Sequence, residues 1–276
     1  MTNIYTAPIY KLEALNNVFI EMTSKNCNHR CKNCYLELPT STKIIKDFIN
    51  IDRIKEMLED TITEDIQCIY LTGAEPMLHP DFNTILRLCL KKHNVCICTN
   101  GSFLNEKKIR FLNKVENEGV GEIFFRLSLT HFEELENDKD KYRGNFRQTI
   151  FALKTLSRYN FNSVLAIQNI HNFEKDILIE NFRKIFNENE ILNTELQINP
   201  SYPNSNKENT NNPASKTDCM YGRTLCENGV YACPFLANDF RGRLGSSFKN
   251  YSKNVTAETN FCEMCSLNKD FIFTIS

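Results

Sequence analysis

The chain has 276 residues, 41% of them hydrophobic, and a formal net charge of -1. This length is enough for one large core and a small appendage, and the balanced charge excludes a surface built mainly to bind nucleic acid. No apolar run approaches the length of a membrane span, and the first residues show no secretory pattern. We therefore expect a cytoplasmic protein whose twelve cysteines serve metal or redox chemistry instead of disulfides.

Short β-branched runs alternate with helical patterns through most of the chain. The predicted strands are 18–22, 66–71, 95–98, 122–129, 163–167 and 195–198. The predicted helices between them are 51–62, 82–92, 106–116, 146–159 and 175–186. Because strands that alternate with helices favour a parallel sheet, we predict an α/β fold, a partial (β/α)6 barrel of the TIM type. Its active site is expected at the carboxyl ends of the strands.

Three closely spaced cysteines follow the first predicted strand. Cys27, Cys31 and Cys34 can bind three irons of a four-iron cluster and leave the fourth iron open to a small molecule that carries an amine and a carboxylate. Zinc is the alternative, but structural zinc sites favour two Cys-x-x-Cys pairs, and no fourth cysteine lies within the next thirty residues. His29, inside this loop, is expected to be a surface residue.

This Cys-x3-Cys-x2-Cys spacing resembles the signature of the radical S-adenosylmethionine (SAM) enzymes. After the second predicted strand, the run Gly73-Ala74-Glu75-Pro76 is similar to the Gly-Gly-Glu-Pro motif of that family, with Ala74 in place of the second glycine. The resemblance implies that the backbone of this turn and Glu75 hold the amino group of the methionine. The alternative is an ordinary turn between a strand and a helix.

Polar side chains end the next three predicted strands. By the same resemblance, Asn100, Ser128 and Gln168 would meet the ribose, carboxylate and adenine of SAM. Polar residues at strand ends are common, so each of them has a purely structural alternative. Asn33 departs from the family, in which an aromatic residue often precedes the third cysteine. Four other cysteines fall inside predicted strands or a helix and are expected to be core residues; these are Cys68, Cys89, Cys96 and Cys98.

The composition changes after the sixth predicted strand. We predict a barrel over residues 1–199, a Pro/Asn/Ser-rich linker over 200–218 and a cysteine-rich domain over 219–276. The last segment is too short to be stable by apolar burial alone, and a metal cluster would supply the missing stability. It looks like the Twitch domain, a shortened relative of the SPASM domain that carries one auxiliary 4Fe-4S cluster. A zinc ribbon is the alternative. The ligands that the resemblance implies are Cys219, Cys233, Cys262 and Cys265.

Cys226 is a fifth cysteine in this segment. Asn228-Gly229 is a strong signal for a type I' hairpin, and a turn there pairs Cys226 with Tyr231. Cys226 would then share a sheet face with Cys233, beside the auxiliary cluster. A thiol in that place can return a hydrogen atom to a substrate radical, as a peptide epimerase requires. The alternative is a buried strand residue.

The resemblance implies a function. A reduced cluster would pass one electron to SAM, which breaks to methionine and a 5'-deoxyadenosyl radical that abstracts a hydrogen from the substrate. The family likeness favours a ribosomal peptide that is crosslinked, given a thioether or epimerised. The alternatives are the dehydrogenation of a small carbohydrate or cyclitol and, outside enzymes, a non-catalytic metal-binding protein. Expected partners are a flavodoxin or ferredoxin as reductant and a separate leader-peptide-binding protein.

Overall fold

A computed structural model describes residues 10–12, 15–203, 218–219, 222–255 and 259–267. Most of the predicted linker and the residues after 267 lie outside the described part. Within that part, no helix is long and apolar enough to cross a membrane.

The described residues up to 200 form seven strands and six α-helices, which alternate except that β1 precedes β2 directly and α4 precedes α5 directly. The strands are β1 (Tyr10–Leu12), β2 (Asn17–Glu21), β3 (Cys68–Thr72), β4 (Asn94–Cys98), β5 (Ile123–Leu129), β6 (Asn162–Asn169) and β7 (Thr194–Pro200). The helices are α1 (Ile51–Asp60), α2 (Phe82–Leu90), α3 (Glu106–Asn117), α4 (Glu134–Asp140), α5 (Asn145–Arg158) and α6 (Lys175–Glu188). The six predicted strands and five predicted helices are therefore confirmed, whereas β1 and α4 were not predicted. Helix α4 lacks an apolar face, and its buried residues are Asn137 and Asp140.

Strands β2 to β7 form the parallel sheet of a partial barrel. Each pairs with the next in chain order, as in the register of Phe19 with Tyr70 and of Tyr70 with Cys96. The helices cross back between them, and α1 and α3 each begin at an asparagine cap. Asn50 accepts a hydrogen bond from the Asp52 amide at the start of α1, which satisfies one of the free N–H groups of that helix end.

The cysteines predicted to lie in the core behave in two ways. Cys68, Cys89 and Cys96 are buried, as predicted. Cys98 instead lies at the end of β4, is only partly buried and lines the pocket described below. Residues two apart in a strand point to the same side of the sheet. The prediction for Cys98 is wrong because Cys96 points into the core, whereas Cys98, two residues later, has reached the open end of the barrel.

The C-terminal segment extends the same sheet. Its elements are β8 (Asp218–Cys219), β9 (Arg223–Cys226), β10 (Gly229–Tyr231), β11 (Arg243–Ser247), β12 (Asn250–Tyr251), β13 (Asn254–Val255) and α7 (Asn260–Leu267). Strand β9 pairs in parallel with β2, and β10, β11 and β12 follow outward to give ten strands. A second sheet has the order β13-β1-β8. The division into a barrel, a linker and a small domain stays a prediction.

The hairpin of β9 and β10 has a different register from the one predicted. Cys226 pairs with Gly229 and not with Tyr231, because the two turn residues are Glu227 and Asn228. Gly229 begins the strand with φ 148°, where a Cβ would lie 2.5 Å from the carbonyl oxygen of Gly245. The glycine is thus required by the close approach of β11, not by the turn.

Candidate active site

A pocket opens at the carboxyl ends of the barrel strands. It is lined by most of the residues predicted to bind a cluster or a cofactor, namely Cys27, Cys31, Cys34, Gly73, Ala74, Asn100, Ser128 and Gln168. Two others, Glu75 and Pro76, are buried and are not among the described lining residues. Parallel strands end at one edge of a sheet, so residues that are far apart in sequence converge here.

The cysteine loop between β2 and α1 is held in place by one carboxylate. The Asp47 Oδ2 accepts hydrogen bonds from the Thr23 hydroxyl at 2.9 Å, from the Ser24 amide at 2.9 Å and from the Lys25 amide at 2.8 Å. Asn26 donates its side-chain amide to the Ile45 carbonyl at 3.0 Å. The start of the cysteine loop is therefore fixed before any ligand binds.

Two of the three thiols of this loop, those of Cys27 and Cys34, lie in a desolvated environment. Burial, with a smaller contribution from the neighbouring thiols, raises the pKa of Cys27 to about 12 and the pKa of Cys34 to about 11. The His29 amide at 3.3 Å and the Asn100 side-chain amide at 3.8 Å donate to the Cys27 Sγ. Three thiolates that line one pocket need a cationic centre to offset their charge. This donor set fits an iron-sulfur cluster.

The spread of these groups also bears on the kind of metal. In the described part of the chain, no three Cys, His, Asp or Glu side chains gather tightly enough to hold a single metal ion. In a four-iron cluster each cysteine binds its own iron, so the sulfurs need not meet at one point.

His29 differs from its prediction as a surface residue. Its side chain is buried, lines the pocket and stacks on the ring of Tyr142 with 4.8 Å between ring centroids. Burial lowers the pKa of His29 to about 4, so the ring is neutral at physiological pH. The prediction failed because loop residues are exposed by default, whereas this loop folds inward over the barrel.

The turn after β3 is built around a glycine and a buried carboxyl group. Gly73 has φ 106°, and a Cβ there would lie 2.4 Å from the carbonyl oxygen of Thr23. Glu75 accepts hydrogen bonds from the Thr99 hydroxyl at 2.8 Å and the Asn100 amide at 2.9 Å. Burial nevertheless raises the pKa of Glu75 to about 7. A cationic amino group placed in the adjoining pocket would offset this desolvation, which fits the predicted contact with the methionine.

Two of the three polar strand tips are hydrogen-bonded to the cysteine loop. Asn100 donates to the Asn28 side chain at 2.9 Å, and the Gln168 side chain donates to the Asn33 carbonyl at 3.2 Å. Ser128 accepts a hydrogen bond at 2.6 Å from Lys141, which also lines the pocket. Lys141 was not predicted because it follows α4, a helix that has no sequence signal.

Arg126 is a second pocket residue that was not predicted. It lies in β5 with only 6% of its surface exposed and lines the pocket. A charged residue inside the apolar run Ile123–Leu129 is a signal that was available in the sequence, since buried arginines are rare without a specific role.

Three of the four predicted auxiliary ligands have described side chains. Cys233 is buried at the start of a short 3-10 turn, and Cys262 and Cys265 lie partly buried on α7. The two segments meet where Phe235 stacks on Phe261, with 4.8 Å between ring centroids. The backbone of Cys219 lies in β8, and its side chain is outside the described part. The ligand set of the auxiliary cluster stays a prediction.

Cys226 lies near the end of β9, next to β2. Its thiol hydrogen-bonds to the carboxyl group of Glu21, which also accepts a hydrogen bond from Asn238. Burial and the neighbouring Glu21 raise the pKa of Cys226, so the thiol keeps its hydrogen. The described lining of the pocket does not include Cys226. Its role as a hydrogen donor stays a prediction.

Comparisons with known proteins agree with this site. The model of the Radical SAM superfamily matches residues 22–185. The chain is 28% identical over 139 residues to the antilisterial bacteriocin subtilosin biosynthesis protein AlbA of Bacillus subtilis, covering 50% of this chain and 29% of AlbA. It is 23% identical over 171 residues to a GTP 3',8-cyclase of Campylobacter jejuni subsp. doylei, covering 60% of this chain and 52% of the cyclase. The chain thus spans about half or less of these curated relatives.

Two solved structures share the fold. The structure titled Native anSMEcpe with bound AdoMet has a TM-score of 0.64 at 16% identity and covers 90% of this chain and 81% of its own. Streptococcus suis SuiB bound to S-adenosylmethionine has a TM-score of 0.63 at 13% identity and covers 86% of this chain and 64% of its own.

The partial barrel, the cysteine loop and the buried carboxyl group define the class of enzymes that place an iron-sulfur cluster beside a bound small molecule. The chain belongs to the Radical SAM superfamily. Members of this family hold a 4Fe-4S cluster and SAM, and together these supply a 5'-deoxyadenosyl radical. In this chain, Cys27, Cys31 and Cys34 would hold the cluster and Glu75 would orient the methionine.

Proposed function

We propose that this enzyme abstracts a hydrogen atom from a ribosomally made peptide and thereby modifies it. The observation that carries the proposal is the similarity to AlbA, whose name assigns it to the biosynthesis of a bacteriocin. Bacteriocins are peptides or proteins, so the shared part of the chain would act on a similar kind of substrate. The modification would be a crosslink, a thioether or an epimerised residue.

The surroundings of the pocket support a substrate with apolar side chains. Tyr35, which follows the third cysteine, makes edge contacts with Phe235 at 5.3 Å and with Tyr202 at 6.1 Å between ring centroids. Tyr35 and Tyr202 line the pocket. This aromatic wall joins the cysteine loop to the C-terminal segment and would exclude water from a radical formed beside it.

The auxiliary cluster is part of the same proposal. Held by Cys219, Cys233, Cys262 and Cys265, it would remove the second electron in an oxidative modification or position the substrate. A flavodoxin or ferredoxin would supply the electron that the first cluster needs. A separate leader-binding protein would deliver the peptide.

A second candidate is a nucleotide substrate, which the similarity to the GTP 3',8-cyclases favours. Arg126 and Lys141 line the pocket and could meet phosphate groups. The dehydrogenation of a small carbohydrate or cyclitol is a third candidate and has no specific support among the described residues.

One assay separates these candidates. The anaerobically reconstituted enzyme is incubated with SAM, a reductant and, in turn, precursor peptides encoded beside the gene, GTP and a panel of cyclitols. 5'-Deoxyadenosine is then measured over the background without substrate. We expect 5'-deoxyadenosine formation to exceed this background when a precursor peptide is present. The same peptide should change in mass or in the chirality of one residue. Stimulation by GTP or a cyclitol, with none by a peptide, would overturn the proposal.

A further inference from the structure

Asn199 is a buried side chain whose polar atoms are unpaired within the described part of the chain. It lies near the end of β7, is 2% exposed and lines the pocket. Neither its Nδ2 nor its Oδ1 has a hydrogen-bond partner among the described residues. Buried amides are normally paired, because an unpaired donor or acceptor loses its bonds to water without replacement.

Two other asparagines of the barrel, the buried Asn137 and the partly buried Asn169, show what is usual here. Asn137 accepts from the Thr130 amide at 3.0 Å and donates to the Asn145 side chain at 3.1 Å. Asn169, at the end of the neighbouring β6, donates to the Phe173 carbonyl at 2.8 Å and accepts from the Phe173 amide at 3.0 Å. These side chains hold the fold together, whereas the Asn199 amide bonds to none of the residues that the structure describes.

The place of Asn199 in the sheet defines its end of the pocket. Asn199 is in register with Gln168 on β6. Its strand, β7, is the fourth strand from β3 in the sheet, and β3 ends at the turn that contains Gly73. The methionine end and Asn199 therefore lie on opposite sides of the barrel opening. Arg126 and Tyr202 line the same pocket as Asn199. Burial raises the pKa of Tyr202, and the nearby Arg126 guanidinium offsets part of that rise.

A carboxamide offers one donor and one acceptor side by side. In an extended chain, the N–H and C=O of a single residue point to the same side, as they do in the hydrogen-bonded pairs of antiparallel sheets. The Asn199 side chain can therefore pair with both groups of one substrate residue. The Hoogsteen edge of an adenine has the same pattern, so the adenine of SAM is the other possible source of this ligand chemistry.

We propose that Asn199 is a substrate-binding residue that pairs with the main-chain N–H and C=O of one extended residue of the peptide. This rests on the proposed peptide function. The aromatic wall of Tyr35, Tyr202 and Phe235 would then contact an adjacent side chain of the same peptide. The pairing would fix which residue of the peptide faces the cofactor.

The test compares Asn199→Leu with Asn169→Leu. Leucine has the same number and branching of side-chain heavy atoms as asparagine and needs no hydrogen bonds. If Asn199 is unpaired until a substrate binds, Asn199→Leu raises the melting temperature of the substrate-free enzyme, whereas Asn169→Leu lowers it by removing two existing bonds. A lower melting temperature for Asn199→Leu would show that the side chain has a structural role and would overturn the proposal.

Two binding measurements identify the ligand. The probes are SAM, measured by equilibrium dialysis, and an array of random-sequence heptapeptides incubated with the fluorescently labelled reconstituted enzyme. We expect Asn199→Leu to change the Kd of SAM less than about twofold and to weaken the bound peptides about tenfold or more, the loss expected for one to two hydrogen bonds. A tenfold weaker binding of SAM would assign Asn199 to the adenine, and unchanged binding of peptides would also contradict the proposal. A third outcome is that the wild-type enzyme binds no peptide, although Asn199→Leu is more stable and binds SAM normally. That outcome would contradict the peptide function, and the peptide would then also fail as the ligand of Asn199.

Discussion

Glu75 joins the turn after β3 to the end of β4. Its carboxylate accepts hydrogen bonds from the Met77 amide at 3.1 Å and the Thr99 hydroxyl at 2.8 Å, and from the Asn100 amide at 2.9 Å. A carboxyl group that is both buried and hydrogen-bonded serves the fold as well as the ligand. Its substitution should therefore affect both.

We expect Glu75→Gln to weaken SAM binding about tenfold or more while the iron content stays unchanged, because a charged hydrogen bond is worth about 1.5 to 3 kcal/mol. Equilibrium dialysis and iron analysis measure the two quantities. Glu116→Gln is the matched control, since Glu116 accepts from the Ile123 amide at 2.6 Å and is not among the described residues that line the pocket. If both variants bind SAM with the same affinity as the wild type, the turn that contains Glu75 has a structural role only.

Cys226 tests the predicted hydrogen donor. Burial, followed by the charge and the hydrogen bond of Glu21, raises the pKa of Cys226 and keeps the thiol protonated. We expect Cys226→Ala and Cys226→Ser to retain iron and 5'-deoxyadenosine formation and to lose product, because the serine O–H bond is too strong to donate a hydrogen atom. Mass spectrometry of the peptide measures the product.

The control is Cys89→Ala, which removes a buried thiol from α2. It should leave the product yield unchanged. A product yield that is equally unchanged in Cys226→Ala would assign Cys226 to core packing. A loss of half the iron would make it a ligand and Cys219 the spare thiol.

At the scale of elements, the pairing of β9 with β2 attaches the C-terminal segment to the barrel. Arg223 lies in this junction with none of its side chain exposed, and it pairs with Glu64 at 2.6 Å. It also donates to the Tyr251 hydroxyl at 2.8 Å, and its guanidinium lies 5.0 Å from the centre of the Phe248 ring. One side chain therefore connects the barrel to β12.

We expect Arg223→Met to lower the free energy of unfolding by about 2 to 3 kcal/mol, because it removes a buried, hydrogen-bonded guanidinium whose ion-pair partner Glu64 is 32% exposed. Urea denaturation of the reconstituted protein measures the change. Arg87→Met removes a half-exposed ion pair with Glu118 and should cost less than about 1 kcal/mol. Equal effects of the two substitutions would show that Arg223 does not anchor the segment.

Across the whole molecule, the sequence predicted what depends on local pattern. The six barrel strands follow from short β-branched runs and their helices from apolar periodicity. The pairing of β9 with β2 could not be predicted, because parallel pairing between distant segments leaves no periodic signal. The same reason applies to Asn199 and Lys141, which reach the pocket only when the strands converge. The site residues that were predicted lie either in recognisable motifs or at the ends of predicted strands.

The central claim is that Cys27, Cys31 and Cys34 hold the cluster that cleaves SAM. The most direct measurement is 5'-deoxyadenosine formation, with iron counted in the same samples, for the anaerobically reconstituted wild type and for the triple alanine variant of these cysteines. We predict about eight irons per chain in the wild type and about four in the variant, since each cluster holds four. We also predict no 5'-deoxyadenosine from the variant. Cleavage of SAM that persists without these three thiols, or a wild type that forms no 5'-deoxyadenosine under reducing conditions, would contradict the claim.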